Sequence, residues 1–110
     1  MRTIYHLVPR SVWEDNPNQP YRPESLEREG FIHCSFAEQV AASANRFYAD
    51  APELLLLHID VDRLRSSLRE EESGTGEIFP HIHGPLNRDA VASVETLDRG
   101  PEGRWQFMAS

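Results

Sequence analysis

Residues 53–60 read ELLLLHID, and the reading of this stretch decides the fold. A strand with one wet face alternates apolar and polar residues, whereas a strand covered on both faces is a nearly continuous apolar run. The four leucines from Leu54 to Leu57 therefore predict the central strand of a sheet with protein packed on either side. His58 follows them, and its alternation phase leaves both core and surface open.

Outward from this spine, strand and helix signals are mixed. Thr3 to Val8 combine β-branched, aromatic and aliphatic residues and stop at Pro9, which predicts a first strand and then a short helix through Trp13. Asp15 to Pro23 hold three prolines and two asparagines and form a loop, either a lid or a plain connection. Glu24 to Glu29 give one helical turn before Gly30, and Phe31 to Cys34 a second strand. Ser35 with Glu38 three positions later fits a capping box that opens an amphipathic helix through about Tyr48, with Val40, Ala44 and Phe47 on one face.

Beyond the spine, Asp60 to Ser67 read as a turn with a short helix, Leu68 to Glu72 as a strand and Ser73 to Gly76 as a flexible SGTG turn. In IFPHIHGPL, Pro80 and Gly84-Pro85 predict a shaped loop. Val91, Val94 and Leu97 give a strand, Arg99 to Gly103 a turn, and Arg104 to Met108 the last strand. No regular succession of strands and long crossover helices is present, so the expectation is one small α+β domain over residues 1–110.

The composition narrows the function classes. The net charge of −7 comes from 18 acidic residues against 11 basic ones, which disfavours general nucleic-acid binding. One cysteine, Cys34, allows no internal disulfide and no cysteine-rich zinc framework. The longest apolar run is far too short for a membrane span, and the first residues lack a signal-peptide core. A cytoplasmic monomer or weak dimer with no membrane partner is expected.

Five histidines make acid-base work, hydroxyl recognition or metal ligation available near neutral pH. His6 and His33 stand beside strand ends, where a side chain turns either to the core or to a cleft. His81 and His83 form a His-x-His pair whose rings point to one side of an extended segment, a usable metal half-site if His6, His33 or a carboxylate completes it. Capping alone accounts for Ser35, yet the helix start there is also suited to an anion. Arg22, in the prospective lid, is the arginine best placed to meet a phosphate. Cys34 reads as a buried thiol, and Glu70, Glu71, Glu72 and Glu77 as an acidic patch from which one carboxylate reaches the site or none does.

Taken together and in order, IYHLVP, YRPESLEREGFIHCS, AEQVAASANRFY, LLLLHID and FPHIHGPLNRDAV resemble the bacterial "domain of unknown function 952" family nearly end to end. The resemblance implies a fold similar to ADP-ribosyltransferases, with a mixed, strongly curved sheet and a few short helices. It also implies NAD, or another nucleotide-like phosphate ester, as the ligand. By position His6 looks like the first-strand residue that holds a ribose hydroxyl, and His33 with Ser35 like the second-strand element. A clear third-element glutamate is missing; Glu71, Glu77 or His81 stands in its place. An aromatic residue is usual where His83 stands, which argues for an incidental His-x-His pair and no metal.

The expectation is thus a cleft lined by His6, His33, Ser35 and His81. His6, Arg22 and Ser35 would bind the ligand there, for ribosyl transfer or hydrolysis. The alternatives are a module that binds a small metabolite without chemistry, and a histidine-ligated metal protein.

Overall fold

A computed structural model describes residues 2–108. Along the chain run β1 (Thr3–Val8), α1 (Arg10–Trp13), α2 (Glu24–Glu29), β2 (Ile32–His33), α3 (Val40–Phe47), β3 (Leu55–Asp60), β4 (Ser67–Glu72), β5 (Ile78–His83), β6 (Val91–Thr96), β7 (Asp98–Arg99) and β8 (Trp105–Gln106). The leucine run becomes the middle strand of a three-stranded sheet ordered β1-β3-β6, as its continuous apolarity requires. Leu55, Leu57 and Ile59 face one core with Ile4 and Val8. Leu54 and Leu56 face a second core with Val40 and Ala44 of α3, Leu97 and Trp105.

A second sheet is ordered β2-β5-β4 and sends Ile32 and Ile82 into the first core, so the two sheets close on one another there. α3 covers the far side of the first sheet. The sheets are joined by reciprocal backbone bonds: Tyr5 N–H donates to the Ser35 carbonyl at 2.9 Å and Ser35 N–H to the Tyr5 carbonyl at 2.7 Å. β7 and β8 form a separate two-stranded ribbon.

Three expectations are corrected. The sheet is neither mixed nor a single strongly curved surface, because every strand pair is antiparallel and the strands divide into two sheets and a ribbon. Residues 78–83 are not a shaped loop but the central strand of the second sheet. Pro80 lacks a ladder donor there, yet its carbonyl accepts Cys34 N–H at 3.1 Å and its ring is buried. Ser35 does not cap the helix. A 3₁₀ turn over Ala37–Gln39 precedes α3, and Gln39 Oε1 accepts Phe36 N–H at 2.9 Å, so glutamine closes that end.

The loop after α1 is a tied connection. The Arg88 guanidinium lies over the Trp13 ring at 4.4 Å from its centroid and donates to the carbonyls of Trp13 at 2.7 Å, Gln19 at 2.7 Å, Asp15 at 3.1 Å and Asn16 at 3.3 Å. Two backbone bonds between Tyr21 and Leu86 fasten its far end. No described helix is long and apolar enough to cross a membrane.

Candidate functional site

Period-two alternation sets the outer face of the second sheet. With Pro80 and Ile82 turned inward, His81 and His83 share the outer side of β5. The pairing places His33 of β2 opposite His81, and Arg69 of β4 on its other flank. Glu71, two residues along β4 from Arg69, lies diagonally within reach. Gly30, at φ 88°, ends α2 in the left-handed region and turns the chain into β2, bringing Glu29 beside His33.

The result is an aromatic, hydrogen-bonded cluster. Phe31 stacks on the His81 ring at 4.1 Å between centroids and 18° between planes. It meets His33 edge-on at 4.8 Å, and His33 meets His81 edge-on at 5.4 Å. Glu71 Oε1 accepts N–H bonds from His81 Nδ1 at 2.8 Å and His83 Nε2 at 2.7 Å. His33 Nε2 donates to Glu29 Oε2 at 2.8 Å. The bonds from His83 and then His81 hold the Glu71 carboxyl below its ordinary range, as the bond from His33 does for Glu29. His81 is buried and His33 exposed, so the cluster has a sealed end and an open one.

His6 lies behind this face, between the sheets. Its Nδ1 is 2.6 Å from the His33 carbonyl oxygen and its Nε2 is 2.8 Å from the Tyr21 hydroxyl. A carbonyl can only accept, so Nδ1 carries the proton and Nε2 accepts from Tyr21. Burial, outweighing the bond to the carbonyl, lowers the pKa of His6 from 6.5 to about 4, which keeps the ring neutral. Burial likewise pushes the Tyr21 phenol up, so it remains a donor. The Cys34 thiol is buried and pushed up for the same reason, as befits a core residue rather than a nucleophile.

The four residues expected to line one cleft are therefore divided. His33 and His81 meet on the outer face, and His6 touches that face only through the His33 backbone. Ser35 is buried with its hydroxyl 3.5 Å from that of Ser43 on α3. Arg22 is exposed and lines a separate surface depression of about 480 Å³ with Asp15, Gln19 and Arg88, in which no histidine takes part. Of the glutamates named for the third element, Glu71 joins His81, whereas Glu77 accepts from Gln39 Nε2 at 3.1 Å. His58, left undecided by its phase, is half-buried against Tyr5 and donates to Glu95 Oε1 at 2.8 Å.

Sequence reasoning missed Phe31, Glu29 and Tyr21 as members of the network. Glu29 had a signal, four residues before His33 across a helix-ending glycine. Tyr21 had none, because only the packing of its loop brings it to His6.

The chain belongs to the family described as "Protein of unknown function (DUF952)", whose profile matches residues 7–94. The crystal structure of protein CC0527 from Caulobacter crescentus is similar, with 29% sequence identity and a TM-score of 0.84 over 96% of this chain and 94% of that one. The solution NMR structure of CC0527 agrees, at 29% identity and a TM-score of 0.82 over 96% and 93% of the two chains. No functionally curated protein matches.

Proposed function

We propose that the outer face of the second sheet binds a nucleotide-like phosphate ester, of which NAD and ADP-ribose are the first to be tried. His33 acts there as the acid-base group for transfer or hydrolysis at the ribosyl carbon. The observation that carries this reading is the convergence of Phe31, His33, His81 and His83 on one partly open face, with a carboxylate fixing each imidazole. Flat aromatic edges and faces suit a purine or nicotinamide ring. The exposed arginine next to His81, Arg69, supplies a guanidinium for a phosphate, the part first assigned to Arg22. Glu29 accepts from His33 Nε2 and so orients the ring, the arrangement a general base needs. The similarity to ADP-ribosyltransferases that the family resemblance implies points to the same chemistry by analogy.

In this reading His6 supports the site instead of touching ribose. Its bond to the His33 carbonyl fixes the backbone that presents the His33 ring. Ser35 likewise belongs to the packing against α3.

The test is a thermal-shift titration of untagged protein in a chelating buffer with NAD, ADP-ribose and mononucleotides. A ligand that binds only the folded state at about 100 times its Kd adds about 2.7 kcal/mol and raises the melting temperature. His33→Ala and Phe31→Ala change residues outside the core and should abolish the shift while the chain stays folded. No shift with any of these ligands, or a shift that survives both substitutions, refutes the assignment. A second reading, binding without turnover, draws on one observation: both carboxylates of the face are already engaged by histidines. Chromatography of NAD incubated with the protein separates the two, because only the catalytic reading releases nicotinamide.

A further inference from the structure

We propose that Glu71, His81 and His83 form a three-ligand site for a divalent transition-metal ion of the zinc type. The proposal stands on the geometry of these side chains and is independent of any nucleotide ligand.

Each of the three offers one ligand atom, and those atoms all lie within 4.8 Å of one another. Both ring nitrogens aim at one oxygen, His81 Nδ1 at 2.8 Å and His83 Nε2 at 2.7 Å from Glu71 Oε1. An ion held tetrahedrally at about 2.1 Å from its ligands sets those ligands about 3.4 Å apart. From separations of up to 4.8 Å the two rings must then close by at most about 1.4 Å and the carboxylate must swing outward, changes that side-chain rotation supplies. A neutral imidazole moves its proton to the opposite nitrogen, so the pair of N–H donors facing Glu71 becomes a pair of lone pairs at no cost in net protonation. The cation replaces the two protons that Glu71 now accepts.

The surroundings suit such an ion. β5 is the central strand of its sheet and β4 pairs with it at every position from Ser67 to Glu72, so the ligand backbones are fixed before any ion arrives. Phe31 stacked on His81 holds that ring's plane. Two imidazoles and one carboxylate form a mixed nitrogen and oxygen set that favours zinc, iron(II) or nickel over magnesium or calcium. Three protein ligands leave one position open for water or a substrate, and His83 and Glu71 are themselves partly exposed.

Untagged protein stripped with chelator and dialysed should bind one Zn²⁺ per chain in calorimetric titration, with a rise in melting temperature. Co²⁺ should give the intense visible bands of a four-coordinate ion. His83→Phe and Glu71→Gln alter half-buried surface positions and leave the core intact, which circular dichroism can verify. Each should weaken Zn²⁺ binding at least about 100-fold, the upper end of what even outer-shell partners of a metal contribute. His58→Asn, on the other sheet, should leave it unchanged. Absence of stoichiometric Zn²⁺ binding overturns the proposal, as does binding that survives either ligand substitution. A preference for Mg²⁺ or Ca²⁺ over Zn²⁺ overturns the zinc-type assignment.

Discussion

Acidification from about pH 7 to about pH 5 should cost the folded protein roughly 2 kcal/mol through His6 alone. In the unfolded chain this ring titrates near its ordinary 6.5, and in the fold near 4, because a charged imidazole would have to leave water for the space between the sheets. The native pKa is the lower one, so on descending from neutrality the unfolded chain takes up the proton first. Stability is full above about 6.5, falls between about 6.5 and about 4, and is flat with respect to this group below that. At about 1.4 kcal/mol per pH unit the complete loss is about 3 kcal/mol, of which roughly two thirds has accrued by about pH 5.

Urea denaturation at a series of pH values, on the parent chain and on His6→Gln, isolates the effect. Glutamine keeps an N–H donor for the His33 carbonyl and does not titrate. The variant will be less stable at neutral pH, but its stability should fall less steeply on acidification, and the two curves should converge by roughly 2 kcal/mol at about pH 5. Long-range nitrogen–proton correlation spectra should show His6 as the neutral ring protonated at Nδ1 down to at least about pH 5. Parallel stability curves, or an imidazolium signal for His6 at that pH, would refute the reasoning.

Two further substitutions probe the network from other sides. Tyr21→Phe removes the donor to His6 Nε2 and leaves a buried acceptor unsatisfied, so denaturant unfolding should show a loss of about 1–3 kcal/mol at neutral pH. Arg88→Ala frees the carbonyls of residues 13, 15, 16 and 19 together, so hydrogen exchange should accelerate at the amides of Gln19 and Tyr21 while those of β3 keep their protection.

Much of the secondary structure was written locally. The bounds of β1, α1 and α2 are set by Pro9, Pro23 and Gly30, residues that act on their immediate neighbours and so are readable without a partner. The central β5 was hidden because Pro80 argues against an interior strand. Its carbonyl still pairs with Cys34, 46 positions away in sequence, and that partner is visible only in the fold. Ser35 illustrates the converse. Its capping-box spacing with Glu38 was real, but the backbone bonds to Tyr5 claimed the residue for a sheet and left the cap to Gln39.

By itself the sequence determined the α+β class, the double-faced burial of the Leu54–Leu57 run, the buried thiol of Cys34 and the alternation that turns His81 and His83 the same way. Those properties depend on hydropathy and on the fixed two-residue period of a strand, which any stretch of chain carries within itself. Only the tertiary structure decided that His33 and His81 share a face while His6 and Ser35 leave it, that Arg22 lies elsewhere, and that Glu71 bridges the His-x-His pair. Each of those outcomes depends on strand register and sheet order, and these are fixed by the fit of whole faces to two cores. Hydrogen bonds and ring stacking act over a few ångströms, so no local pattern can announce the partner that register alone brings within reach.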